Sequence, residues 1–218
     1  MQLKSFGCSF IFGTDLVGAD SELAKASKLT WPALLAQDLD YEYSCYARPG
    51  SGNLQILEQV LNQNTKDPAD LAVVGWTWID RFDYYNSNCK GRLWEDWSTI
   101  MPVDETELAQ IYYRELHSEY RDKFTNLGYI RLAIDTLNQK GIPFIMTYVD
   151  ELLFDQRWHT SPAVIELQEY IKPHMTTFNS LTFLEWSRQQ GYPESVGWHP
   201  LEDAHQAAFE LIKCHSFS

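Results

Sequence analysis

The stretch "LKSFGCSFIFG", residues 3–13, runs from a short apolar segment into small residues and places Ser9 at the junction. The apolar segment predicts a β-strand, and the small residues after it predict a tight turn. Such a turn either changes the direction of the chain or presents the Ser9 hydroxyl as a nucleophile. The rest of the sequence is needed to choose between these interpretations.

Strands and helices alternate after this turn. Further strands are predicted in "YEYSCYA" (41–47), "DLAVVGW" (70–76) and "IPFIMTYVD" (142–150), with helical segments between them. Strands separated by helices pair in parallel through right-handed crossovers. The sequence therefore predicts a single domain over residues 1–218 with a three-layer α/β/α architecture: a flavodoxin-like parallel sheet of about five strands. An aromatic-rich excursion at about 78–106 is predicted to form a lid.

The composition excludes several classes of partner. The net charge is −13 and no basic cluster is present, which predicts no binding to nucleic acid or to an anionic membrane surface. The four cysteines are widely spaced and the histidines lack metal-ligand spacing, so free thiols, no metal site and no cofactor are expected. No signal peptide or membrane span is evident, which predicts a soluble, cytoplasmic protein.

Three small-residue turns follow the first three predicted strands: "GCS", "PGSGN" and "GWTW". The carboxyl ends of parallel strands meet at one edge of a sheet, so these turns should cluster. Acyl transfer needs a nucleophile, a base and donors for the oxyanion. Ser9 supplies a hydroxyl and an N–H, Gly52 an N–H, and Thr77 a hydroxyl, while "GWHPLEDAH" supplies His199 and His205.

The four segments "FGCSFIFG", "ARPGSGNLQI", "AVVGWTW" and "GWHP" resemble, in order, the sequence blocks of the SGNH hydrolases, also called GDSL esterases. The resemblance implies a serine hydrolase that cleaves an ester of a small molecule or carbohydrate, such as an O-acetyl ester. It implies Ser9 as nucleophile, His199 as base, and Ser9, Gly52 and Thr77 as oxyanion donors. SGNH-like chains occur in bacteria, eukaryotes and tailed phages, so the resemblance is also compatible with a phage origin.

Two positions depart from the family pattern. Thr77 stands where the family has an asparagine, and Val196 stands where it has the aspartate three residues before the histidine. The candidates for orienting His199 are then Glu194, Glu202, Asp203 or a backbone carbonyl. These departures favour an alternative function, a catalytically degenerate binding or assembly protein with the same fold. A third hypothesis, nucleotide binding, rests on "GSGNLQ" alone.

Other residues near the predicted turns have candidate roles. Cys8 is expected to be a small buried residue because neighbours in a strand point to opposite faces. His205 is expected to be a packed or capping residue on the last helix. The candidates for substrate contacts are Arg48, Asn53, Trp76, Trp78, Arg81 and Trp198.

Overall fold

A parallel sheet forms the centre of the protein. The computed structural model describes residues 1–86 and 97–216, with side chains described up to residue 214. The sheet strands are β1 (Gln2–Gly7), β2 (Glu42–Cys45), β3 (Leu71–Trp76) and β6 (Phe144–Tyr148). They lie in the order β2-β1-β3-β6, and every neighbouring pair is parallel. A single parallel bridge between Met146 and Met175 extends the sheet beyond β6. The predicted parallel α/β sheet is confirmed, with four strands and this bridge in the described part of the chain.

Helices connect the strands and cover both faces of the sheet. The α-helices are α1 (Ser9–Phe12), α2 (Trp31–Asp38), α3 (Asn53–Gln63), α4 (Glu107–Ile111), α5 (Glu119–Gln139), α6 (Pro162–Ile171), α7 (Phe183–Gln189) and α8 (Glu202–Ser216). A π-helical turn, Tyr112–Leu116, follows α4, and short 3-10 turns cover Glu151–Leu153 and Lys172–His174. None of the helices in the described residues is long and apolar enough to cross a membrane.

The buried side chains form one hydrophobic cluster on each face of the sheet. Along β3, Val73 faces a cluster that includes side chains of α2, α7 and α8. Its neighbours Ala72 and Val74 face a second cluster that includes side chains of α3, α5 and α6. This alternation follows the two-residue period of a strand, and continuous burial along β3 is typical of a sheet covered on both sides. The three-layer prediction is confirmed.

The predicted aromatic excursion contains a separate two-stranded ribbon. Its strands β4 (Phe82–Tyr85) and β5 (Trp97–Ile100) are antiparallel. Ile100 packs with Ala109 and Tyr112 in a small cluster outside the two main ones. Residues 87–96, which include Cys89 and Trp94, lie outside the described residues, and the function of this segment as a lid stays a prediction.

Two glycines allow α1 to lie close against the end of the sheet. Gly7 and Gly75 pair across β1 and β3, and Ile11 of α1 lies over both. A Cβ at either glycine would come within 2.6 Å of the Ile11 side chain, so a larger residue would displace the helix. The close approach places Ser9, the first residue of α1, at the carboxyl edge of the central strands. Cys8 is buried in the core, as expected.

Candidate active site

Ser9 begins α1 directly after β1. The residue is 6% exposed, and the N–H groups at the start of a helix lack partners within that helix. Among the described residues, Ser9 Oγ forms no hydrogen bond, including none to His199. Hydrogen bonds between a nucleophile and its base are often absent until substrate binds. The Ser9 hydroxyl is thus not committed to a structural contact.

His199 is held by a carboxylate from the other end of the chain. Its Nδ1 lies 2.7 Å from Oδ2 of Asp15, in the turn that follows α1. Oδ2 also accepts a hydrogen bond from Ser195 Oγ at 2.6 Å. The hydrogen bonds from Ser195 and His199 lower the pKa of Asp15, in that order of effect. An ionised carboxylate at Nδ1 favours the tautomer in which Nε2 is free to accept a proton.

The carboxylates proposed from the sequence have other positions. Glu194 forms a two-point contact with Arg188, at 2.8 and 3.2 Å. Glu202 accepts a hydrogen bond from the Val17 N–H, and Asp203 is an exposed residue in the first turn of α8. In the described part of the chain, the carboxylate that contacts His199 is that of Asp15, so the structure does not support Glu194, Glu202 or Asp203 in this role. Val196 is fully exposed and faces solvent.

Aromatic contacts connect His199 to the ends of β1 and β3. The Phe10 ring packs edge-on against the His199 ring at a centroid separation of 5.4 Å, and against Trp78 at 5.6 Å. The Arg81 guanidinium lies over the Trp78 ring at 4.8 Å and donates to the Ser51 carbonyl. The structure therefore brings the turns after β1, β2 and β3 and the His199 turn together at one edge of the sheet.

The Gly52 N–H is directed at a carboxylate of the chain itself. It donates to Oδ1 of Asp83 in β4 at 3.0 Å. The buried Asp83 carboxylate also accepts from the Gln55 N–H, the Gln55 side-chain amide and the Thr99 hydroxyl. Negative charge is favourable at a helix N-terminus such as that of α3. This geometry corrects the prediction for Gly52, because its N–H is not free for a substrate oxyanion.

Asn53 fixes the turn after β3 from within the protein. Its side chain accepts from the Thr77 N–H and donates to the Thr77 carbonyl and to Asn126. Asn53 is 1% exposed, so its contacts are structural and the prediction of a substrate contact is not supported. Thr77 itself is buried, and its hydroxyl has no hydrogen-bond partner among the described residues.

The remaining candidates for substrate contacts differ in accessibility. Trp76 is fully buried in the core beside α3 and α5, so the structure does not support a substrate contact by this residue. Trp198 is 70% exposed in the His199 turn, with a left-handed φ of 62°. Arg48 donates to the Gln55 side chain at 3.1 Å and lines a small cavity beside Gly50.

His205 has a structural environment distinct from that of His199. It is buried on α8, and its Nδ1 accepts the N–H of Trp31, the first residue of α2. Burial, with a smaller effect of His199, lowers the pKa of His205 to about 3. The imidazole therefore stays neutral and acts as an acceptor at the start of a helix, which agrees with the role expected from the sequence.

Trp78 lines a cavity of about 350 Å³. Tyr113 and His117 line it together with the carboxylates of Asp80 and Asp150. Burial, and repulsion by Asp150, raise the pKa of Asp80. Within the described residues no cluster of three or more His, Cys, Asp or Glu side chains has the geometry to hold a metal ion.

The structure adds Asp15, Ser195 and Asp83 to the residues indicated by the sequence. The sequence analysis did not identify Asp15, and its only local signal is that it lies six residues after Ser9. Asp15 and His199 are separated by 184 residues, and Gly52 and Asp83 by 31. Neither pair has a fixed spacing that a local motif could reveal.

No protein-family model and no curated protein sequence matches the chain. Solved structures do match over nearly the whole length. TesA aligns with 97% of this chain and 96% of its own at a TM-score of 0.54 and 13% identity. The acetyl xylan esterase AlAXEase aligns over 100% of both chains at a TM-score of 0.52 and 9% identity.

A member of the lipolytic G-D-S-L family from Veillonella parvula DSM 2008 aligns with 100% of this chain and 98% of its own, at a TM-score of 0.51 and 14% identity. Identities this low establish the architecture and not the activity. With its parallel sheet covered by helices on both faces, the chain has the same fold as these solved structures.

Proposed function

We propose that the protein hydrolyses esters through Ser9, His199 and Asp15. The observation that carries the proposal is the 2.7 Å contact between His199 Nδ1 and Asp15 Oδ2, on a ring that packs against Phe10, the residue after Ser9. A nucleophile, a base and a group that orients the base are the minimum set for acyl transfer. In this proposal Ser9, His199 and Asp15 fill these three roles, and the contacts of Asp15 and Phe10 with His199 support it.

The proposed reaction has two steps. Ser9 Oγ attacks the ester carbonyl carbon, His199 Nε2 takes the Ser9 proton, and the same proton passes to the departing alcohol. Water then attacks the acyl-enzyme, gives a proton to His199 and releases the acid, and His199 returns that proton to Ser9 Oγ. Asp15 stabilises the imidazolium formed in each step.

The oxyanion would be stabilised by fewer donors than the sequence predicts. The Ser9 N–H at the start of α1 is the proposed donor, since the Gly52 N–H is taken by Asp83 and the Thr77 hydroxyl is buried. Loss of one such donor typically costs about 10²–10³ in rate. The proposed enzyme is therefore expected to turn over more slowly than one with a full set of donors.

We propose an O-acetyl ester of a carbohydrate as the substrate. The cavity beside Trp78 combines aromatic rings with carboxylates that accept hydrogen bonds from hydroxyl groups. Its volume of about 350 Å³ falls within the range of small-molecule sites. The fold is also one on which an acetyl xylan esterase is built.

The test compares hydrolysis of a chromogenic aryl acetate with release of acetate from an acetylated xylo-oligosaccharide. Ser9→Ala should abolish turnover of both substrates. Asp15→Asn should lower kcat by about 10³–10⁴-fold, because an amide at Nδ1 stabilises the wrong tautomer of His199. Asp203→Asn is the matched control and should retain wild-type activity. Equal losses in the Asp15 and Asp203 variants would contradict the proposal.

A second candidate function is a non-catalytic carbohydrate-binding protein. The contact between Gly52 and Asp83 favours it, because it fills a position that the family resemblance assigned to the oxyanion. The same assay separates the two functions: folded wild-type protein that binds the oligosaccharide and hydrolyses neither ester would support this candidate.

A further inference from the structure

Ser195 is the first residue of the turn that leads to His199. Its hydroxyl donates to Asp15 Oδ2 at 2.6 Å. Ser195 Oγ in turn accepts hydrogen bonds from the N–H groups of Gly197 and His199, both at 3.2 Å. A serine hydroxyl has one proton to donate and two lone pairs to accept with, so all of its hydrogen-bonding capacity is used here. Ser195 thus links the Asp15 carboxylate to the backbone N–H of His199, and Asp15 itself contacts the His199 ring.

The Asp15 carboxylate needs such a support. Asp15 lies in an exposed turn with a left-handed φ of 71°, and its side chain is 41% exposed. A side chain this exposed can rotate into solvent, and His199 Nδ1 would then lose its hydrogen-bond acceptor. Ser195 binds the oxygen that His199 also binds, so it holds the acceptor at the imidazole. The hydrogen bond from Ser195 is also the largest cause of the lowered pKa of Asp15.

The turn around Ser195 closes tightly on this pair. The Ser195 N–H donates to the His199 carbonyl at 2.9 Å, and the Trp198 N–H donates to the Ser195 carbonyl at 3.0 Å. A Cβ on Gly197 would lie 3.2 Å from His199 Nδ1 and 3.3 Å from Asp15 Oδ2. Both distances are shorter than most Cβ contacts. A glycine is therefore suited to this position, where the backbone lies against the His199 ring and the Asp15 carboxylate.

We propose that Ser195 is a positioning residue of the site, which holds the Asp15 carboxylate and the His199 backbone in register for proton transfer. Its effect on catalysis rests on the proposed function of Ser9 and His199. Its effect on Asp15 does not, because the contact exists without substrate. No motif identifies Ser195, since its partner Asp15 lies 180 residues away in the sequence.

The experiment uses Ser195→Ala, with Ser195→Thr as the conservative variant and Ser187→Ala as the matched control. Ser187 is a buried serine of α7 whose hydroxyl has no hydrogen-bond partner among the described residues. The first readout is the titration of the Asp15 carboxyl group followed by NMR, which does not depend on activity. Ser195→Ala should raise the Asp15 pKa toward its ordinary value, whereas Ser195→Thr and Ser187→Ala should leave it near that of the wild type.

The second readout is ester hydrolysis by the same variants. Ser195→Ala should lower kcat by about 10- to 100-fold with little change in KM, in line with the loss of a hydrogen bond to a charged group. Ser195→Thr should restore most of the rate. An unchanged Asp15 titration, or a loss of kcat equal to that of Ser187→Ala, would overturn the inference. A shifted titration in a protein without esterase activity would support the positioning role and contradict the proposed function.

Discussion

At the scale of single residues, two histidines close in sequence have opposite environments. His199 is half-buried at the sheet edge, with a carboxylate at Nδ1 and packed against Phe10. His205 is buried on α8 and accepts a backbone N–H with its own Nδ1. A base must take up and release protons during turnover, whereas a buried acceptor must stay neutral. These environments separate the proposed catalytic histidine from the structural one.

The depressed pKa of His205 predicts a loss of stability in acid. The folded-state pKa is about 3 and the ordinary value is 6.5, so between these values the unfolded chain binds a proton that the folded protein does not. The free energy of unfolding should therefore fall with decreasing pH in this window, by about 1.4 kcal/mol per pH unit from this residue. Denaturant unfolding of the wild type and of His205→Asn between pH 7 and pH 4 measures the difference.

The asparagine variant retains an acceptor for the Trp31 N–H but cannot be protonated in this range. Its stability should consequently depend less steeply on pH than that of the wild type, although carboxylates contribute to both curves. Parallel curves for the two proteins would contradict the assignment of His205 as a buried neutral residue.

At the scale of elements, Asp83 connects the β4–β5 ribbon to the start of α3. Its carboxylate accepts hydrogen bonds from the N–H groups of Gly52 and Gln55 and from the Thr99 hydroxyl. The ribbon and the helix are therefore hydrogen-bonded through one buried carboxylate. The sequence predicted both the helix and an aromatic excursion, because periodicity and turn residues are local signals. It did not predict that a carboxylate of the excursion would occupy the helix N-terminus, since that contact exists only in the folded chain.

Removal of this carboxylate should destabilise the protein strongly. Asp83→Ala leaves several buried donors without an acceptor, which predicts a loss of about 2–4 kcal/mol in the free energy of unfolding. Glu166→Ala, at an exposed acid on α6, is the control and should change stability by less than about 0.5 kcal/mol. Urea denaturation measures both, and similar effects for the two variants would show that Asp83 does not anchor the ribbon.

At the scale of the whole molecule, the parallel sheet determines which distant residues meet. The turns after β1, β2 and β3 were predicted to cluster because parallel strands end at one edge, and contacts among Phe10, Trp78, Arg81 and Ser51 join those turns. The sequence therefore predicts the architecture correctly, and the catalytic roles of Ser9 and His199 stay predictions. The contact of Asp15 with His199 and the direction of the Gly52 N–H could not be predicted from the sequence. Both depend on how turns that are far apart in the chain are oriented in the folded protein.

The most direct test of the central claim is covalent labelling with a fluorophosphonate, followed by mapping of the modified residue. An activated serine attacks the phosphorus, whereas an ordinary serine does not react at a comparable rate. The account predicts an adduct on Ser9 in the wild type, none in Ser9→Ala, and greatly slowed labelling in His199→Ala. Well-folded wild-type protein that stays unlabelled, or that is labelled on a residue other than Ser9, would contradict it.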